Sequence, residues 1–441
     1  MSAILATIKE ALRGEDADYT KMKVNRAIVL LAIPMILEMA MESLFAVVDA
    51  FFVGKVGGGA LATIGFTESV LTVVYSMAFG LAMGTTAIVS RRWGEKDYTG
   101  AAKSSGTAIM IGLVLSLVLG IGGYFLAPDI LRLMGAEQVV IDTGTTYTQI
   151  MFSTQIVIML LFLHNGIFRG AGNATAAMSA LWIANGLNIF LDPLFIYGWG
   201  PVPAMGVTGA AVATSIGRGV GVLFQIYLLY FAGKTFRLKL SDLGFDWSLV
   251  KRIIKVASGG AGQFLIASAS WIFLMRIMSE FGTAVVDGYT ASIRVIIFAI
   301  LPAWGLSNAA ATLVGQNLGA KQPERAEESV WITARYAMFF LLGVAVLMFI
   351  LAPQILSAFS ENEETIRVGA LCLRVVAAGY PFFAYGMVLS NAFNGAGDTR
   401  TPTLLNLVCF WAIQIPLAYL LATQVGWEEN GVYIAVVISE T

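Results

Sequence analysis

Charged side chains are scarce in this 441-residue chain. They make up 12%, against roughly 25% in a soluble domain, which excludes an ordinary water-soluble globule. Cysteine is nearly absent. Cys372 and Cys409 both fall in apolar stretches without metal-ligand spacing, which excludes a disulfide framework and a cysteine metal site. His164 is the single histidine, and a lone histidine late in an apolar run reads as a hydrogen-bonded interior residue rather than a proton relay. No phosphate-cradling P-loop, HExxH, CxxC or nucleophile elbow occurs. An enzyme is not expected, nor a cofactor, a bound metal or a nucleic-acid partner. Energy for any transport must come from an ion gradient, because no ATPase domain is present.

Apolar length is abundant instead. Hydrophobic residues are 58% of the chain, arranged in runs of about 20 or more, each long enough to span a bilayer. The expectation is an all-α polytopic membrane protein. Spans are expected near 26–53, 61–89, 102–126, 143–168, 175–197, 207–231, 250–279, 285–313, 327–351, 366–393, 401–422 and from 431 onward. Residues 1–25 are polar and charged, which argues against a cleavable signal peptide and suits a short amphipathic helix on the membrane surface.

The chain is also repeated. Phe168-Arg169-Gly170-Ala171-Gly172-Asn173 recurs as Phe393-Asn394-Gly395-Ala396-Gly397-Asp398, a shift of 225 residues. Gly94 recurs as Gly319 and Gly206-Val207 as Gly431-Val432 at the same shift. Three anchors in one register indicate a duplicated six-helix bundle with a central site between the copies. The expected division is a segment 1–25, a first lobe 26–231, a linker 232–249 and a second lobe 250–441. The twelfth span is expected to be incomplete, since the run from Val432 ends after about ten residues where about 20 are needed.

Basic residues set the expected orientation. Arg91, Arg92, Lys96, Arg169, Lys321, Arg325 and Arg400 fall on the side of the N-terminus, and such an excess marks the cytoplasmic face. An even number of spans with the N-terminus inside follows. Six spans per lobe insert both lobes the same way up, so the pseudo-two-fold axis runs along the membrane normal.

Carboxylates inside spans are costly and point to function. The first span carries Glu38, Glu42 and Asp49. Glu38 to Glu42 is about 40° round a helix and Glu42 to Asp49 about −20°, so all three share a face. That face must look into the bundle. Pro34, one turn earlier, invites a kink. A packing role, with the acid protonated or paired to an intramembrane arginine, stays open for Glu38 and Glu42. The fifth span reads Asn185-Gly-Leu-Asn188-Ile-Phe-Leu-Asp192-Pro193. Asn188 and Asp192 share a face at i, i+4, and a carboxylate with an amide suits a proton or a hard cation such as Na⁺, not a soft metal. Asp192 capping a broken helix is the structural alternative. The seventh and tenth spans lack such acids. Arg218, Arg276, Arg294 and Arg374 are expected to neutralise acids or snorkel.

These residues carry a resemblance. Pro34 with Val48-Asp49-Ala50-Phe51-Phe52-Val53-Gly54, Arg169-Gly170-Ala171-Gly172-Asn173, Leu191-Asp192-Pro193-Leu194-Phe195-Ile196, Val314-Gly315-Gln316-Asn317-Leu318-Gly319-Ala320 and Asn394-Gly395-Ala396-Gly397-Asp398 resemble, in order, the multidrug and toxic compound extrusion (MATE) family of the larger multidrug/oligosaccharidyl-lipid/polysaccharide exporter group. The chain is similar to its DinF-like branch, which the resemblance implies through Asp49, Asn188 and Asp192, with Thr214 as the match for a sixth-helix threonine. It implies twelve helices in two lobes around a V-shaped cavity and a monomeric antiporter in the plasma membrane. It further implies export of organic cations in exchange for H⁺ or Na⁺, bound at Asp49, Asn188, Asp192 and Thr214. Glu38 and Glu42 are not part of the family pattern and their role stays open; from their positions in the spans Glu38, Glu42, Pro34 and Asn185 are the expected cavity residues. The alternative is a flippase for a lipid-linked oligosaccharide of the same exporter group, which would be expected to carry more cavity-facing Arg and Lys.

Overall fold

In lipid every backbone amide must be satisfied within its own segment, so long apolar runs become helices. A computed structural model of the chain, describing residues 2–14, 17–56, 60–232 and 237–441, is helical throughout the apolar runs. A short amphipathic helix, α1 (Ser2–Arg13), leads into α2 (Val24–Gly54), α3 (Ala60–Gly94) and α4 (Tyr98–Leu133). Then come α5 (Gln138–Ser153), α6 (Gln155–Gly170), α7 (Ala174–Tyr197) and α8 (Val207–Tyr227). The second half follows with α9 (Trp247–Met278), α10 (Thr283–Gly319), α11 (Pro323–Ser357), α12 (Glu363–Ala378) and α13 (Tyr380–Ala396). It ends with α14 (Arg400–Asn406), α15 (Ile415–Tyr419) and α16 (Glu428–Glu440). π-helical turns over Leu407–Gln414 and Leu420–Gln424 join α14 and α15 into one wide-pitched span.

Among the described residues ten segments are long and apolar enough to cross a bilayer, and α12 with α13 makes an eleventh, bent by 59°. The sequence counts twelve. The difference is α16, whose 13 residues rise about 20 Å, short of a hydrocarbon core of about 30 Å. The fourth and tenth spans are not single rods, as the sequence suggests. Each is interrupted, at Thr154 between α5 and α6 and at Gly379 between α12 and α13. Those positions are 225 residues apart. At the first, the Thr154 hydroxyl bonds the Ile150 carbonyl and so competes with the helix ladder. At the second, Pro381 lacks a donor N–H.

The repeat is repeated in backbone detail. Gly172 and Gly397 have φ of +82° and +87°, and Lys96 and Lys321 both have +60°. Contacts between the halves are exchanged in the same way. A Cβ on Gly94 would stand 1.9 Å from the carbonyl oxygen of Gln316, and one on Gly319 would stand 2.1 Å from that of Arg91. Adding 225 to Gly94 and Arg91 gives Gly319 and Gln316, so each contact is the image of the other. Gly80 against Ala261 is mirrored by Gly305 against Ile36. Reciprocity of this kind requires a pseudo-two-fold axis between the halves.

The halves touch at one end. Phe79 stacks on Phe264, and from there to Gly94 the second half of α3 packs on α9 and α10. The first third of α2, from Val24 to Met35, belongs to the hydrophobic core of the second half. Its far end, at Val53, belongs to the core of the first. The halves therefore close around the basic end and diverge toward the other, leaving the V-shaped cavity.

Candidate ion-coupling site

The polar cluster forms where α2, α3, α7 and α8 face one another in the first half. Asn173 starts α7 by accepting a hydrogen bond from the Ala176 amide at 3.1 Å, and α7 then runs unbroken through Pro193 to Tyr197. Asp192 therefore lies inside a continuous helix and does not cap a broken one. The i, i+4 spacing acts as expected. Asn188 Nδ2 donates to Asp192 Oδ1 at 3.2 Å and to Thr214 Oγ1 of α8 at 3.2 Å. All three residues are buried, and among the described residues Asp192 Oδ2 and Asn188 Oδ1 have no hydrogen-bond partner. Two free oxygens beside a threonine hydroxyl form an acceptor-rich niche suited to a proton or a hard cation. Asp49 of α2 is half-buried and lies within coulombic reach of Asp192. Among the described residues no hydrogen bond joins it to the trio.

One helical stage nearer the basic end, Glu42 Oε2 accepts from Asn185 Nδ2 at 2.9 Å and its Oε1 faces Arg218 Nη2 at 3.5 Å. Arg218 also donates to the Tyr75 hydroxyl at 3.2 Å and lies over the Phe45 ring. Glu68 of α3 carries a fourth carboxylate, exposed and within coulombic reach of Asp49, Glu42 and Arg218. The sequence reading overlooked it, although an acid in an otherwise apolar second span was signal enough. Of the four expected cavity residues Glu42 alone keeps exposed surface. Glu38, Pro34 and Asn185 are buried: Pro34 lies in the first third of α2, which packs into the second half, Glu38 is held against α6 of its own half, and Asn185 is held against Glu42. Arg169, read from sequence as a loop residue, is in fact buried and faces Glu38. His164 is the interior residue expected, with Nδ1 3.2 Å from Gln225 Oε1.

The second half has no such cluster. At the shift of 225, Asp49, Glu42 and Glu68 correspond to Leu274, Ala267 and Ile293.

Arg218 is the guanidinium that balances these acids, so removing it should be costly. Arg218→Met should lower stability by about 2–3 kcal/mol. That is below the 3–5 kcal/mol of a fully buried pair, because Glu42 keeps 23% of its side chain exposed. Adding Glu42→Gln should recover part of the loss. Thermal unfolding of the two single variants and the double variant checks this, and strictly additive shifts would count against the pair.

Comparison with known proteins agrees with the duplication. The MatE family model matches twice, over residues 34–194 and 261–420. The chain is 26% identical over 425 residues to a probable multidrug resistance protein, YpnP, of Bacillus subtilis, covering 95% of this chain and 93% of that one. It is 25% identical to a probable multidrug resistance protein, NorM, of Thermotoga maritima, covering 90% and 86%. A solved outward-facing conformation of a multidrug resistance MATE transporter of the MOP superfamily superposes with a TM-score of 0.91 at 27% identity, covering 97% and 94%. A duplicated helical bundle closed at one end, matched twice by one family model, places this chain in the MATE family of membrane transporters.

Proposed function

We propose that this transporter is an ion-coupled exporter of cationic, amphipathic compounds and belongs to the DinF-like branch. The reading rests on one observation. Glu42, Asp49 and Glu68 lie in one lobe within coulombic reach of one guanidinium, Arg218, and Asp192 stands beside Asp49. Four carboxylates and one arginine leave an excess of negative charge that a low-dielectric bundle holds only when protons or cations neutralise it. Cation and coupling ion then compete for one region. H⁺ or Na⁺ binds at Asp49, Asn188, Asp192 and Thr214, and the bound drug leaves. The relative YpnP, a probable multidrug resistance protein, fits this reading. The acidic cluster also disfavours a lipid-pyrophosphate flippase, which needs basic cavity walls. We place the N-terminus in the cytoplasm and the protein in the plasma membrane as a monomer, with lobes 26–231 and 250–441.

Efflux of a panel of cationic dyes from proteoliposomes, with ΔpH and ΔNa⁺ imposed separately, tests the reading. Efflux of at least one dye should accelerate several-fold under one of the two gradients. No response to either gradient with any dye would sink it.

A further inference from the structure

Glu38 is the most deeply buried acid of α2 and takes no part in the Asp49–Asp192 cluster. It lies about 16 Å from Asp49 along the helix axis, toward the basic end. Its Oε1 accepts a hydrogen bond from Asn165 Nδ2 at 3.0 Å, and Arg169 Nη1 stands 3.8 Å from the same oxygen. That spacing is an ion pair without a hydrogen bond. Oε2 is buried and has no hydrogen-bond partner among the described residues. Behind Asn165 the polar chain continues, with Gln225 donating to Asn165 Oδ1 at 2.6 Å and Gln225 Oε1 meeting His164.

The second half fills the same place without charge. Glu38 and Arg169 become Gln263 and Asn394 at the shift of 225. These two amides bond reciprocally, at 2.9 and 3.1 Å. The scaffold is therefore held at this point equally well by a neutral pair. A buried carboxylate and guanidinium carry a desolvation cost of several kcal/mol per ion, and packing gives no reason to bear it.

Arg169 is also tied to lobe closure. The carbonyl of the next residue, Gly170, accepts from Gln316 Nε2 of the other half at 3.1 Å. Parting of the halves at the basic end breaks that bond and frees the end of α6 that carries the guanidinium. We propose that Glu38 is a second proton-binding carboxylate of the transporter, which holds its proton while the basic end is closed and gives it up when that end opens. Burial favours the neutral carboxyl, whereas water and a guanidinium free to close the 3.8 Å gap favour the carboxylate. The proton leaves Glu38 for water admitted at the open basic end, and the carboxylate left behind pairs with Arg169. The charged groups facing Glu38 are Arg169 from α6 and Glu42 on its own helix. Glu42 is itself engaged by Asn185 of α7 and Arg218 of α8, while α10 brings the backbone of Gly305 against Met35 and Ile36. The inference rests on the ion-coupled reading above and assigns it a second site.

The test installs in the first half the pair that the second already holds, Glu38→Gln with Arg169→Asn. Infrared pH-difference spectra of the purified full chain should show a protonated-carboxyl band in the wild type that both this variant and Glu38→Gln alone lack. In proteoliposomes the wild type should move one more proton per dye molecule than the double variant, which should still transport. Identical spectra, or a lost band with an unchanged proton-to-dye ratio, would overturn the proposal. A wild type indifferent to ΔpH and ΔNa⁺ would instead overturn the ion-coupled reading, while the infrared band still reports on Glu38.

Discussion

Asp49→Asn and Asp192→Asn proteins should fold, bind dye and lose gradient-driven efflux by about 5–150-fold, the span of a coupling free energy of 1–3 kcal/mol. Asparagine keeps the size of aspartate, and at position 192 its carbonyl can still accept from Asn188, which now donates at 3.2 Å. What disappears is the ionisable oxygen. Two carboxyls that share a site titrate as a pair, so one bound proton or Na⁺ serves both. Removing either charge should therefore abolish the gain from the gradient while leaving downhill exchange of dye. Thr214→Ala should act more mildly, since the Asn188–Asp192 bond survives it. Efflux under an imposed gradient, compared with dye binding to the same purified protein, separates the two effects. Wild-type efflux in both aspartate variants would remove this cluster from the mechanism.

Much of this arrangement is legible in the sequence because membrane spans obey so few rules. The helical angle between Glu38, Glu42 and Asp49 and the i, i+4 spacing of Asn188 and Asp192 follow from 3.6 residues per turn. Asn188 and Asp192 meet as that geometry requires, and Glu38 and Glu42 turn toward α6 and α7. The shift of 225 is equally a property of the string, and the exchanged glycine contacts give it a physical meaning. Other features needed three dimensions. Glu38 could not be assigned to a partner because Asn165 and Arg169 lie 127 or more positions away, on a helix whose rotation only packing fixes. Arg169 adjoins a Gly-Ala-Gly turn and so reads as a loop cation, but the close approach of α6 to α3 at Gly166 and Gly170 pulls it inside. The breaks at Thr154 and Gly379 are hidden because the short Ser153-Thr154-Gln155 and Gly379-Tyr380-Pro381 steps are outweighed by the apolar length on either side. Glu68 is legible as well, as an acid in an otherwise apolar second span.

The glycines at the closed end set the second large effect. Gly94→Ala and Gly319→Ala should each slow transport about tenfold or more and hold the halves apart at the basic end. Their missing Cβ atoms leave room for the carbonyls of Gln316 and Arg91 at 1.9 and 2.1 Å, distances no methyl group can occupy. Backbones of packed membrane helices approach this closely only at small residues. The obstruction is backbone, not a side chain that could rotate away, so the halves must move by an ångström or more. Each contact joins two separately packed cores, so the variants should stay folded and express their defect in the open–closed equilibrium. Gly65→Ala and Gly343→Ala, with nothing within 4 Å of the added carbon, are the controls. The readout is Ser90→Cys in a background with Cys372 and Cys409 replaced by Ala. Ser90 is buried against Gly315 of the opposite half, so a membrane-impermeant thiol reagent reaches it only when the basic end opens. Labelling should speed up in both glycine variants and not in the controls. A thiol as protected as in the parent, with transport intact, would show that these contacts yield without cost. Closure at the basic end would then have to depend on other contacts, such as the Gln316–Gly170 hydrogen bond.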